Sequence, residues 1–338
     1  MLDTSTIPSE AGPVADDDAP PVEIAMDGPR YRGYRATELA EADIPFEGVA
    51  ELLWTAAEPR RAWWPTPDEF PDLLRRLPAR LDLRSTLRAA LIAMAIEDPH
   101  REDLARKEEL ARARRILPQL AALAGLVHDR RRVAAALRAR SVAERLVLTL
   151  GGRPDAAPLI DRALVICADH PPSVADAAVE AAAAAGCDLY GSLSIGLSTP
   201  HGNRIEPACV EIEVFVEAVG SPRWAPDAVG DRLLRGEVIP GFGHALYPAG
   251  DPRTGLLMAL ARGSAPDDPF VRTMDAIVAS MAAAGQPAAH VGFGLVALAR
   301  AAGLERQSAG TVFTLARLAG RVRRILDARQ PRDAAIEE

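Results

Sequence analysis

The chain has 338 residues, 49% of them hydrophobic and only 4% aromatic, and it carries a formal charge of −8 at pH 7. The length suits one large domain with a smaller one, and abundant alanine with few alternating β-branched stretches favours helices. The acidic balance excludes nucleic acid as the main partner, and no run of eighteen apolar residues is present to span a membrane.

The N-terminus lacks a basic segment followed by an apolar one, so no signal peptide is expected. Cys167, Cys187 and Cys209 have no metal-ligand spacing and lie among apolar residues. They read as small core residues, with neither a disulfide framework nor a metal site, and a reducing cytoplasm is the expected compartment. Lys107 is the sole lysine, which we read as coding bias.

Residues 1–23 are rich in Pro, Ser and Asp, and a disordered tail is expected there, with order starting near Ile24. Apolar residues at 46, 49, 50, 53 and 54 have helical spacing. Residues 67–98 hold two helical patterns. Glu and Arg alternate over 101–116, which predicts a solvated helix face ending at Pro118. A helical stretch follows over 131–149, with Ser141 and Glu144 as a candidate capping box. Apolar residues at 159, 160, 163, 164 and 166 predict a buried helix that delivers Asp169 and His170 to its end. Ser173 then caps an alanine-rich helix over 174–185, closed by Gly186. Residues 188–200, punctuated by Gly and Ser, lead to His201, which stands just before a helix starting near Pro207. A helix N-terminus keeps an imidazole neutral.

The stretch from Pro240 to Arg253 organises the rest. Gly241 and Gly243 flank Phe242 and allow positive φ, while Pro248 and Pro252 forbid a regular helix through it. A rigid loop holding His244 and Arg253 suits a small anion: arginine grips a carboxylate bidentately, and histidine donates to an oxygen. Helices are then predicted over about 253–262 and 271–284, after the segment 289–294 as far as Ala302, and over about 309–328, with Arg317 on the last.

The string Gly-Phe-Gly-His followed by Asp-Pro-Arg resembles a motif of the citrate synthase family. Further likenesses run from residue 24 to 332: Tyr31-Arg32-Gly33-Tyr34, Ala168-Asp169-His170, Pro200-His201-Gly202, Ala316-Arg317 with Gly320, and Pro331-Arg332. The resemblance implies an all-α, two-domain homodimer. Residues 24–202 and 304–338 would form the large domain and 203–303 the small one, with the site in the cleft.

It also implies roles. His170, His244, Arg253, Arg317 and Arg332 would hold oxaloacetate or a similar dicarboxylate, Arg332 reaching the neighbouring subunit's site. His201 would stabilise the enol of an acyl-CoA, and His244 would polarise the ketone. Val238, Gly241, Phe242 and Gly243 would line the pocket of the coenzyme A thioester, and no metal is implied. The family's general base is an aspartate, and its position here is Gly292, in His290-Val291-Gly292-Phe293. Asn203 and Arg204 also depart from the family's pattern beside His201. The expected activity is a citrate synthase-type condensation of acetyl-CoA or another acyl-CoA with oxaloacetate or a related 2-oxo acid, impaired at Gly292. The alternative is a deficient homologue that binds oxaloacetate or a partner subunit in a regulatory or scaffolding role.

Overall fold

The computed structural model describes residues 20–65, 81–170, 172–198 and 205–329. Its first element is a three-stranded antiparallel meander, β1 (Val22–Ala25), β2 (Gly28–Tyr31) and β3 (Tyr34–Arg35), in sequential order. Val22 pairs with Tyr31, and Tyr31 with Tyr34. Order is thus present two residues before the expected start, and in strands that helical periodicity could not announce.

All other regular structure among the described residues is helical. The helices are α1 (Ala36–Glu41), α2 (Phe46–Thr55), α3 (Leu83–Glu97), α4 (Arg106–Leu123), α5 (Gly125–His128), α6 (Arg130–Leu137), α7 (Val142–Thr149) and α8 (Ala157–Ile166). They continue with α9 (Val174–Ala184), α10 (Leu189–Ser198), α11 (Ile205–Val219), α12 (Ala225–Leu234), α13 (Pro252–Ser264), α14 (Pro269–Ala283), α15 (Val291–Ala301) and α16 (Ser308–Ala328). The all-α reading holds, the small meander aside. No helix among the described residues is long and apolar enough to cross a membrane.

Local chemistry explains most boundaries. Asp82 caps α3 by accepting from Ser85 N at 3.0 Å. Ser173 and Asp176 form a reciprocal capping box at the start of α9, the arrangement that satisfies two free N–H groups together. Ser141 caps α7 through Glu144 N, while the Glu144 carboxylate accepts from Arg140 N. The stretch over 131–149 is therefore two helices, α6 and α7, separated by this cap.

Two expectations are corrected, and one stretch without a predicted element is assigned. Pro118 lies inside α4 and does not end it; its missing N–H costs one bond, and the buried face around Leu117 and Leu120 holds the turn together. The charged face of α4 is also partly interior: Arg112 is buried and bonds Asp98 Oδ2 at 2.9 Å, outside any i,i+4 pairing. The Gly- and Ser-punctuated stretch after Cys187 is the helix α10. A Cβ at Gly196 would lie 2.8 Å from Val179 and 3.1 Å from Arg321, so glycine permits a close approach to α9 and α16 that outweighs its poor helix propensity.

The long helix α16 is the axis of the core and is buried along almost its whole length. It packs against α2, α4, α8, α9, α10, α11 and α15. Trp54 donates its indole N–H to Ala319 O at 2.9 Å, fastening α2 to it. Helices α11 to α15 pack largely on one another, with α13 laid along α15.

Candidate active site

The loop between α12 and α13 is clamped to the segment before α15. Gly241 has φ +92° and Gly243 φ +85°, the left-handed region open to glycine. This lets Gly243 N donate to Ala288 O and His290 N donate to Gly241 O, both at 2.9 Å. A Cβ on Gly241 would lie 2.7 Å from the Phe293 ring, so a larger residue would separate the two segments.

Asp251 ties the loop to both helices. It caps α13 by accepting from Arg253 N at 3.1 Å, and its other oxygen accepts from Val291 N at 3.3 Å. It also grips the Arg253 guanidinium bidentately, at 2.9 and 2.7 Å, with both side chains fully buried. Burial works to raise the Asp251 carboxyl, but Arg253 outweighs it and holds the carboxyl below the usual carboxylate range. Arg253, expected as a substrate grip, is therefore already paired within its own loop.

Above this pair sit two imidazoles and a phenol. The His170 and His244 ring centroids are 5.8 Å apart, edge to face. Tyr247 lies 6.2 Å from His170 and 5.0 Å from His244. Burial, with Arg253 and Arg317 added, drives the His170 imidazolium far below its ordinary range, so the ring is neutral. Burial lowers His244 as well. His244 Nδ1 accepts from Leu246 N at 3.1 Å, so its neutral ring carries the proton on Nε2 and presents a donor.

His290 repeats that arrangement. Its Nδ1 accepts from Gly292 N at 3.1 Å and caps α15. Burial pushes its pKa down to about 4, so at neutral pH the ring is uncharged and carries its proton on Nε2. Gly292 is the second residue of α15, and a Cβ there would meet His290 Cε1 at 2.9 Å and Nδ1 at 3.1 Å. The His290 ring occupies the space in which a side chain at 292 would begin.

Arg317 reaches the cluster from α16. It donates to Asp169 Oδ1 at 2.9 Å and to Asp176 Oδ2 at 3.1 Å, with His170 O at 3.5 Å. Arg321, Arg323 and Arg324 join it around the same two buried aspartates. Burial works to raise Asp169, and Arg317, Arg323 and Arg324 overcome it and hold it ionised. A Cβ on Gly320 would sit 2.4 Å from Asp169 Cγ, which explains a glycine three residues after Arg317.

The structure thus brings His170, His244, Arg253 and Arg317 together, with Gly292 and His290 at the adjoining helix start. Gly241, Phe242 and Gly243 form the clamped side of the loop, and Val238 before them is 81% exposed. His201 and Arg332 lie outside the described residues. Tyr247 and Asp176 escaped the sequence reading, as did the ion-pairing of Asp169 and Asp251. The spacing of Arg317, Arg321 and Arg324, on one face of a buried helix, was a signal that buried carboxylates must oppose it. No cluster with metal-ligand character is found among the described residues.

Comparison with known proteins bears on the family and the fold. The family model described as citrate synthase, C-terminal domain, matches residues 21–337. The chain belongs to the citrate synthase family. It is 26% identical over 240 residues to a 2-methylcitrate synthase of Mycobacterium tuberculosis, covering 66% of this chain and 60% of that protein. It is 28% identical over 257 residues to a citrate synthase of Haloferax volcanii, covering 68% and 66% respectively. The match spans less than two thirds of these curated relatives' own length. Among solved structures, a citrate synthase from Thermoplasma acidophilum, in a ternary complex with carboxymethyl coenzyme A and oxaloacetate, superposes with a TM-score of 0.73. The likeness covers 94% of this chain and 91% of that one at 18% identity. The Thermotoga maritima citrate synthase gives 0.72 at 21% identity, covering 90% of this chain and 86% of its own. Both establish the citrate synthase fold, and with it the all-α class.

Proposed function

We propose that this citrate synthase-family chain binds oxaloacetate or a related 2-oxo dicarboxylate together with an acyl-CoA, and that its condensation step is impaired. The observation that carries the reading is the start of α15. A general base needs a free lone pair beside the acyl methyl. Gly292 offers no side chain, and the neighbouring His290 has its lone pair on Nδ1 engaged by Gly292 N. His290 is a donor there, not a base.

Binding is supported by what the rest of the cluster offers. His244 Nε2–H is a donor suited to polarising a ketone oxygen. Arg253 and Arg317, although paired with Asp251 and Asp169, give the site a positive lining. Exposed Val238, and Leu246, which is 44% exposed, flank the clamped loop and suit an adenine ring. Losing the base is worth a rate factor of ~10²–10⁴, while binding does not depend on it. Calorimetry with oxaloacetate, beside a coenzyme A release assay with acetyl-, propionyl- and longer acyl-CoAs, tests this. Saturable binding with weak or no release supports the proposal, and absence of binding refutes it.

A second copy of the chain is the partner we propose. Helix α10 packs against both α3 and α9, and α3 and α9 expose Ile92, Ile96 and Val174 at 52%, 66% and 74%. Large exposed apolar side chains on neighbouring helices mark an association surface. Light scattering at micromolar concentration should give a dimer mass, and a monomer mass would refute this part.

A further inference from the structure

Tyr247 holds the least explained polar atom in the cluster. Its side chain is 2% exposed, and its hydroxyl has no hydrogen-bond partner among the described residues. The ring is fixed: Tyr247 N donates to His244 O at 3.2 Å, and the ring touches both imidazoles. Its face lies 5.9 Å from the Arg253 guanidinium carbon. A buried hydroxyl left unpaired carries an uncompensated desolvation cost, and phenylalanine would fill the same space without it. His170 Nε2, in ring contact with Tyr247, is buried and unpaired as well. Two orphaned polar atoms in one contact cluster point to a ligand that satisfies them.

The chemistry of that ligand group follows from the donors. Burial pushes the Tyr247 phenol up to about 12, so it stays protonated and can donate. Its neighbour His244 also presents Nε2–H. Two neutral donors side by side suit the lone pairs of a carbonyl oxygen, whereas guanidinium forks suit carboxylates. Building on the dicarboxylate reading above, we propose that Tyr247 is a specificity-determining contact whose hydroxyl donates, alongside Nε2–H of His244, to the 2-oxo oxygen of the ligand. Tyr247 thereby favours 2-oxo dicarboxylates over plain ones.

The test is Tyr247→Phe, with oxaloacetate and succinate as calorimetric probes, since succinate has both carboxylates and no 2-oxo oxygen. The melting temperature of the free variant should equal or exceed that of the wild type, because an unpaired buried hydroxyl is removed. Oxaloacetate should bind about 5–10-fold more weakly, the worth of one hydrogen bond, and succinate binding should not change. Unchanged oxaloacetate affinity overturns the proposal. So does equal weakening for both ligands, or a fall in melting temperature, which would give the hydroxyl a structural partner instead. A wild type that binds neither probe fails in its own arm, and then the dicarboxylate reading falls first.

Discussion

Restoring a carboxylate at position 292 is the most informative perturbation, and the structure says that the single change will not suffice. In Gly292→Asp the new Cβ starts 2.9 Å from His290 Cε1, closer than real Cβ contacts come, and a tight 3.1 Å from Nδ1. The ring must move, at an overpacking cost of about 1–3 kcal/mol. Moving it breaks the Nδ1 cap on Gly292 N, a further ~0.5–2 kcal/mol. A carboxylate in the first turn of α15 returns only about 0.3–1 kcal/mol from the helix dipole. The single variant should therefore lose roughly 1–4 kcal/mol of stability and gain little turnover, because the displaced ring pushes the carboxylate aside. Adding His290→Ala removes the collision. The double variant should melt above the single one and release coenzyme A ~10²-fold or more faster than the wild type. Thiol-trapping kinetics at saturating oxaloacetate and acetyl-CoA, with circular-dichroism melts of all three proteins, measure both. If Gly292→Asp alone matches the double variant in turnover and melts like the wild type, His290 does not fill that space and the reasoning fails.

Two further outcomes follow from buried charge. Asp251→Ala strands the buried Arg253 guanidinium and removes the anchor on Val291 N, so urea denaturation should show a loss of about 3–5 kcal/mol; a loss under 1 kcal/mol would mean that the pair is solvated. Glu47 is buried, accepts from Val142 N at 2.7 Å, and is pushed up to about 8 by burial and by Asp161, itself pushed up to about 7. Such carboxyls stay protonated in the folded chain after the unfolded chain has released its protons. Their stabilisation is complete below pH ~4.5 and is lost as pH rises towards 8, by up to ~1.4 kcal/mol per pH unit for each group. Melting temperature should fall from pH 5 to pH 8, and Glu47→Gln should flatten the slope; an unchanged slope in the variant would place the titration elsewhere.

Much of this was legible in the sequence because it rests on local chemistry. Ser173, Gly186, Pro207 and Gly285 mark helix ends by capping and turn preferences, and the loop from Pro240 to Arg253 declares its rigidity through its glycines and prolines. What escaped depends on distant partners. The helix α10 exists because α9 and α16 reward the close approach of Gly196, and α4 runs through Pro118 because its far side is buried. The pairing of Arg317 with Asp169 and Asp176 joins residues more than 140 positions apart, so a reading residue by residue saw a free arginine. His290 is the titratable side chain nearest to Gly292 in sequence. Only its hydrogen bond to Gly292 N shows which nitrogen keeps the proton.

The central claim is that ligands are held while the acyl methyl keeps its protons. Proton NMR of the acetyl-CoA methyl group in D2O, with the wild-type protein saturated by oxaloacetate, tests it directly. The account predicts a methyl resonance broadened by binding but undiminished over a time in which the His290→Ala/Gly292→Asp protein consumes or exchanges it. Loss of the methyl proton signal in the wild type at a comparable rate would contradict it and assign a working base to another residue.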